Sequence, residues 1–453
     1  MKEKLQNLAI ITIIIFSFAI SSCPELEETT SGIVNMSYSG ALEYRKWLEI
    51  LDEINEQTSF VNLDLSNCTT ATTAGTHHAF FEYTHHGRLF RVFTPLPWLT
   101  HHNDPNHDES EKEDIRSAKS KIVSITLPRS ATAIDLSTQG QQSSAFRDFT
   151  YLRSVTGESI DIVGSYAFFG LKNLREVNFS SLGTGPSMNP APSAPASTSG
   201  VSPTQGHFAQ VDDFAFAECS ALKRINFPNA RIIGKSAFEN SGLTTISSSD
   251  LSNAWIIFEG AFRGCRDLAS VYFRNVTKIG DEAFAYCTGL KTAVFAAGPE
   301  KGTAFPINAS FVVDFKSVIF YQRVFIGSKA FQRLEIPNAW NVYFATDALA
   351  NIGSHLDLLL FDHDKGSTSG NAGYGHPQIE DFLGNRLSLP GSGSQPRTIN
   401  SVKLILPKVN DIEESQVMYG DDETIGGKEV ATIFNDLRGR YGDFAVKVTV
   451  ERY

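Results

Sequence analysis

The sequence predicts an α/β repeat, an open solenoid of short stacked strands, and three observations predict it. First, one frame recurs: IGDEAFAYCTGL at 279–290 is matched by IVGSYAFFGLKNL at 162–174, VDDFAFAECSAL at 211–222, IGKSAFENSGL at 233–243, FEGAFRGCRDL at 258–268 and IGSKAF at 326–331. Second, the Phe residues of this frame fall at 146, 168, 216, 238, 262, 284, 305 and 331, mostly 21 to 26 positions apart, with one gap of 48 that contains a low-complexity stretch. Such a period is too short for two packed helices but fits one strand, a short helical turn and two bends. Third, a segment of strand alternation follows: LREVNF (174–179), LKRINF (222–227), LASVYF (268–273), LKTAVF (290–295), FKSVIF (315–320) and AWNVYF (339–344). Core-type residues hold its first, fourth and sixth places, so each turn buries one strand face and hydrogen-bonds to the next turn.

The frame is a packing unit. Its constants are Ala-Phe, a branched apolar residue four positions before the Ala, and usually a Leu six after the Phe; the Asp281-Glu282 pair becomes Ser165-Tyr166, Asp213-Phe214 or Lys235-Ser236 in other copies. A catalytic cluster would occur once. Cys219, Cys265 and Cys287 each sit three residues after a repeat Phe, which predicts one interior column of small, reduced side chains beside Leu171 and Ser241.

The frame I-G-x-x-A-F-x-x-C-x-x-L followed by L-x-x-V-x-F resembles the BspA-like leucine-rich repeats of bacterial surface proteins, including lipoproteins of host-associated spirochaetes and Bacteroides-type bacteria. VNLDLSNCT (61–69) and IVSITLP (122–128) resemble the opening strands of such arrays, and DLLLF (357–361) and VKLILP (402–407) resemble degenerate later ones. The resemblance implies a leucine-rich-repeat solenoid of about ten to twelve turns and a role in adhesion or host-protein binding that no fixed residue carries.

The solenoid is expected over 59–407. Residues 1–22 read as an export signal: Lys2 and Lys4, an apolar run from Leu8 to Ile20, then Ser-Ser-Cys, which resembles a lipobox with Cys23 as the lipidated residue. Residues 23–58 read as a tether and an N-terminal capping helix, because ALEYRKWLEILDEI places Leu42, Trp47, Leu48, Leu51 and Ile54 near one helical face, where they would cover the first open strand. Residues 408–453 read as a C-terminal cap, with a helix in EVATIFNDLRGRYG and a last strand in FAVKVTV. Three segments leave the frame: a His-rich insertion at 69–119, a Pro/Ser/Ala-rich loop at 183–206 and Gly/Ser-rich loops at 364–397.

Composition narrows the function. Net charge is −11 with pI near 5.5, which argues against a nucleic-acid partner. No G-x-S-x-G, phosphate-binding loop, H-E-x-x-H or paired-cysteine zinc frame is present, so no enzyme and no cofactor are expected. The expected partners are a protein or glycan ligand, host-derived in an adhesion role, and the membrane through the N-terminal lipid. Taking the fifth strand place gives Asn178, Asn226, Ser247, Tyr272, Val294, Ile319, Tyr343 and Leu360, a column that turns from polar to apolar. With Trp340 from the second place and Lys291 and Lys316 flanking, Tyr272, Val294, Ile319 and Tyr343 are the expected ligand-binding stripe on a concave sheet. The alternative chemistry is zinc, nickel or copper binding by His77, His78, His85, His86, His101, His102 and His107 in the His-rich insertion. A purely structural role in the envelope is the third reading.

Overall fold

The structure is a computed structural model and describes residues 32–73, 78–85, 88–95, 109–136, 144–179, 209–247, 250–296, 305–308, 311–313, 317–336, 341–345, 347–360, 401–406, 424–425, 428–429 and 447–452. The signal segment, Cys23, the 183–206 loop, the 364–397 loops and most of the C-terminal helix segment lie outside these residues.

Each turn of the solenoid has three sides, and each side is stitched to its neighbours by backbone hydrogen bonds. The first ladder holds the strands that follow Ala-Phe. It consists of a six-stranded sheet from β1 (Ile33–Ala41) and β2 (Phe60–Thr69) to Arg224–Asn226, then a seven-stranded sheet from Thr245–Ile246 to Lys447–Arg452. Its pairings between successive turns are parallel. Thr244 N–H donates to the Lys223 carbonyl at 3.5 Å and bridges the two sheets, so the ladder runs through thirteen rungs among the described residues.

The second ladder is a ten-stranded sheet of mostly two-residue strands that precede Ala-Phe, such as Ile232–Ile233, Ile256–Ile257 and Lys278–Ile279. Branched apolar residues suit it because successive side chains point to opposite sides and the inward one, Ile233, Ile257 or Ile279, is fully buried.

The third ladder is made by the Ala-Phe segment itself. Tyr166, Phe168 and Gly170 donate their N–H groups to the carbonyls of Asp213, Ala215 and Ala217 one turn on, and the same three-bond pattern joins Phe214, Phe216 and Glu218 to Lys235, Ala237 and Glu239. From Phe168 onward, alternate N–H groups can all face the next turn because the residues two before and two after the repeat Phe, or Leu349 in its place, are left-handed. From Tyr166 and Gly170 to Asp347 and Asn351, seven turns show this pair, with φ between 51 and 76°. Only four of the fourteen positions are Gly, so most turns hold a strained non-Gly residue in place by packing and inter-turn bonds.

Inside the prism the repeat phenylalanines stack. Centroids of Phe146, Phe168, Phe216, Phe238, Phe262, Phe284 and Phe325 follow one another at 4.4, 5.0, 5.2, 5.3, 5.1 and 5.8 Å. All are fully buried. Burying each side chain is worth about 1.5–3 kcal/mol and each ring pair adds about 0.5–1.5 kcal/mol.

The structure corrects the expected frame at the C-terminal turns. Val324-Phe325, and not Ala330-Phe331, occupies the Ala-Phe place: Phe284 N–H donates to Val324 O, and Phe325 stacks on Phe284. Phe331 takes the place of the Leu six positions later, and Ala348-Leu349 forms the next copy, since Phe325 N–H donates to Ala348 O. Phe305 is no repeat residue either; it begins a small antiparallel hairpin, Phe305–Asn308 with Phe311–Val313. After that hairpin the chain re-enters on the second ladder, so Ser317–Phe320 and Asn341–Phe344 belong there, while Arg333–Ile336 continues the first.

The N-terminal end also departs from expectation. Residues read as tether form β1, and helix α1 (Tyr44–Asn55) is the crossover from β1 to β2 rather than a lid over the first strand. It buries Trp47, Ile50, Leu51 and Ile54, with Leu48 half-exposed. The His-rich segment contains ordered structure: β3 (Phe80–His85) and β4 (Arg88–Phe93) form an antiparallel hairpin that ends the second ladder, and helix α2 (Glu109–Ser120) lies against α1. At the other end Lys447–Arg452 is a strand as expected, and Lys428–Glu429 pairs with Thr424–Ile425 where the helix was expected to begin.

Phe262→Ala should cost about 3–5 kcal/mol in urea unfolding, and Phe262→Leu clearly less, because Leu349 fills the equivalent place. Gly264→Ala should cost about 1–2 kcal/mol from its left-handed backbone alone. A clash adds to this, since the new Cβ would sit 2.1 Å from Asn240 Oδ1.

Candidate ligand-binding face

The outward side of the first ladder is built from the strand places that the core leaves free. In its N-terminal half, amides and hydroxyls line up across rungs. Asn62 Nδ2 donates to Asn35 Oδ1 at 2.9 Å, Ser124 Oγ donates to Asn62 Oδ1 at 2.7 Å, and Asn226 Nδ2 donates to Asn178 Oδ1 at 3.0 Å. Parallel in-register pairing causes this, since it sets like residues side by side.

The expected ligand stripe is divided by the ladders. Tyr272 and Val294 are direct cross-strand neighbours, both half-buried, with Lys291 exposed beside them. The next rung, however, puts Glu335 opposite Val294, and Glu335 pairs in turn with Leu359. Ile319 and Tyr343 pair with each other on the second ladder, where Ile319 also faces Lys278. Lys316 and Trp340 lie outside the described residues. In place of an apolar half, the face carries charges: Arg333 Nε is 2.5 Å from Glu335 Oε1, Arg333 Nη1 is 3.9 Å from Asp357 Oδ2, and His355 Nε2 is 2.8 Å from Asp357 Oδ1. Sequence reasoning missed this cluster because it assigned the strand 333–336 to a repeat Phe segment.

Of the seven candidate metal ligands, His78 is placed in the core at 4% exposure. Its Nδ1 accepts the Tyr44 N–H at 3.2 Å and its Nε2 lies 2.9 Å from Thr73 Oγ1, so both ring nitrogens tie the start of α1 to the segment after β2. That geometry makes His78 a structural residue. His85 is in β3, opposite Arg88, and the other five lie outside the described residues. Among the described residues no group of three or more His, Cys, Asp or Glu is arranged to hold a metal ion.

The cysteine column is built as backbone support. Cys219, Cys265 and Cys287 each donate Sγ–H to the carbonyl of the Phe one turn back, respectively Phe168, Phe238 and Phe262, at 3.1 Å; Ser328 Oγ does the same to Phe284 at 2.8 Å. The four described cysteines are free and buried. Burial pushes Cys219 and Cys265 up to about 12 and Cys68 up to about 11, and holds Cys287 well above its ordinary value, so none is a thiolate nucleophile.

Asp212 and Lys119 are also strongly displaced, and Asp213 beside the first of them is raised as well. Burial and the neighbouring Asp213 carboxylate push Asp212 up to about 7. Lys119, on the last turn of α2, is 2% exposed, and burial pulls it down to about 8 despite Asp148 Oδ2 at 3.9 Å. The two groups stand on different elements, α2 and the bend after the strand Gln210–Val211.

A chain of three-sided turns, about 22 residues each, joined by parallel ladders around stacked phenylalanines defines a leucine-rich-repeat solenoid. Residues 117–184 and 203–302 match the BspA type leucine rich repeat region in six copies, so this stretch of the chain carries BspA-like leucine-rich repeats. Similar solved structures include a leucine-rich repeat protein from Bacteroides ovatus (12% identity, 84% of this chain and 78% of that one covered, TM-score 0.38). Another is a leucine-rich repeat protein from T. pallidum (16%, 49% and 73%, TM-score 0.28). A third is a leucine-rich cell surface protein from Faecalibacterium prausnitzii (14%, 74% and 90%, TM-score 0.27). Comparison with curated proteins finds no match.

Two outcomes test this assignment of the buried groups. Cys68, Cys219, Cys265 and Cys287 should resist alkylation at pH 8 in the folded chain and react after denaturation, and Cys287→Ala should cost about 1 kcal/mol or more where Cys287→Ser costs little. Lys119 has a folded pKa below its ordinary 10.5, so folding disfavours its proton. Its contribution therefore improves as pH rises from about 8 to 10.5 and stays at its poorest below that window. Lys119→Met should abolish that rise, measured as urea midpoints across pH.

Proposed function

We propose that the chain is an exported, lipid-anchored surface protein that binds a protein or glycan ligand through the outward face of the first ladder and acts in adhesion rather than catalysis. The observation that carries the reading is this face. It is a run of parallel rungs whose outward side chains are not needed by the core and differ from turn to turn. Its chemistry supports a polar ligand. The Asn178 and Asn226 amides offer donors and acceptors, Tyr272 beside Val294 offers an aromatic surface, and Lys291 a cation at the margin. Tyrosine with adaptable amides suits recognition of either sugar hydroxyls or a peptide. The lysine pair, apolar run and Ser-Ser-Cys at the N-terminus support export with Cys23 carrying lipid.

Cells displaying the chain should be captured on arrays of glycans and matrix proteins, and the double variant Tyr272→Ala, Asn226→Ala should lose at least about tenfold of that capture with unchanged melting, since each interface anchor is worth about 1 kcal/mol or more. Protease added to intact cells should digest the chain, and Cys23→Ala should release it from the membrane fraction. Undiminished capture by the double variant would remove the face from the reading, and protection of the chain in intact cells would remove the surface location.

A further inference from the structure

We propose that β1 is a self-pairing edge, through which two copies of this chain join antiparallel about a two-fold axis at Ser37. β1 ends the first ladder: β2 lies on one side, and among the described residues no strand lies on the other. It is nine residues long, Ile-Val-Asn-Met-Ser-Tyr-Ser-Gly-Ala, or about 30 Å of backbone. An edge of this kind presents a row of unpaired N–H and C=O groups, and folded proteins blunt such edges with charge or proline. The opposite end of the ladder does so: its edge strand, Lys447–Arg452, carries Lys447, Glu451 and Arg452. Of the second ladder's two edge strands, β3 carries Glu82 and His85, while Asn341–Phe344 is uncharged but only four residues long. β1 has no charged residue and no proline, and its one register irregularity, between Ser37 and Ser39, places the extra residue on β2.

The sequence of β1 selects a second copy as the occupant because it is complementary to itself. In antiparallel pairing centred on Ser37, residues whose numbers sum to twice 37 face each other. Met36 then meets Tyr38 of the partner copy, Asn35 meets Ser39, and Ser37 meets Ser37. Met36 and Tyr38 already pack against the hydrophobic core from its partly exposed rim, so the apolar contacts of a dimer would continue that core. On the other side Asn35 accepts a hydrogen bond from Asn62, so an Asn35–Ser39 contact would extend the amide and hydroxyl row by another rung. The arrangement is isologous and closes as a dimer, which leaves the outward face of the ladder open in both copies. It does not depend on the ligand reading above.

The test uses the full chain in mild detergent with Cys23→Ser, so that the only accessible thiol is introduced. Ser37→Cys should form a disulfide-linked dimer under mild oxidation, at least about tenfold more efficiently than Ser39→Cys, because directly opposed positions meet disulfide geometry and displaced ones do not. A mixture of Asn35→Cys and Ser39→Cys chains should link to each other efficiently, and this second pair decides the register if Ser37→Cys folds poorly. Ser37→Lys, at an exposed position where the two-fold axis would set two cations against each other, should convert the wild-type dimer to monomer in sedimentation while the chain stays folded by circular dichroism. A wild-type chain that is monomeric across a concentration series would overturn the proposal. So would equal cross-linking at 37 and 39, or capture of an unrelated extended peptide by a monomer.

Discussion

The solenoid depends on one contact: the repeat Phe of each turn lies on the Phe of the turn before it. A single turn of this period cannot bury an aromatic ring alone, so the ring's burial comes from its neighbours on both sides. Centroid spacings near 5 Å from Phe168 to Phe284 match the spacing of hydrogen-bonded strands, so ring stack and ladders share one pitch. The left-handed residues that flank the ring from Phe168 onward follow from this constraint. They turn alternate N–H groups along the solenoid axis, so the segment that delivers the ring also bonds to the next turn. The inter-turn bonds and ring stacking together offset the local cost of Tyr166, Phe214, Glu282 or Arg323 in that conformation.

Much of this was legible in the sequence, because the period, the Ala-Phe pair and the branched residue before it are all core positions, and core positions repeat. The misread turns show where local pattern gives way to spacing. Residues 320–331 contain two overlapping frames, Phe320 to Phe325 and Ile326 to Phe331, and the second has the better local match. The first wins because the rest of the turn agrees with it. Ser328 falls in the thiol column on the Phe284 carbonyl, Gly327 falls on a left-handed position, and Phe331 falls six residues after Phe325, where an apolar residue is required. The rival frame would have placed Pro337 there. Proline lacks the N–H that Leu174, Leu222 and Phe331 donate from this place to the carbonyl three residues earlier. The left-handed pairs left no such trace, since ten of the fourteen positions are not glycine and their side chains share no chemistry.

Side chains with reactive reputations were the least informative. The thiols of Cys219, Cys265 and Cys287 look like a redox or metal set on paper, yet each is spent on a Phe carbonyl one turn back, and serine does the same at 328. His78 stands in a run of histidines, yet both its nitrogens hold backbone and hydroxyl groups around α1. In this prism buried hydroxyls such as Ser144, Thr277 and Ser328 answer to backbone carbonyls left over by the bends, because an unsatisfied one costs about 1–3 kcal/mol. Residue type near the core therefore reports backbone accounting before it reports function.

Function is then left to positions that the prism does not constrain, and the ladder each strand joins decides which positions these are. The alternation L-x-x-V-x-F suits either ladder, so sequence alone placed Ile319 and Tyr343 beside Tyr272 and Val294. The hairpin at 305–313 shifts the chain's point of return to the second ladder, and the row continues instead into Glu335, with Arg333 and Asp357 alongside. An insertion on one side of a solenoid thus rewrites the surface on another side without altering the core. A face with amides at one end, an aromatic step in the middle and paired charges beyond it presents three different chemistries along one axis, and the strand places that vary most between turns are the ones that write them.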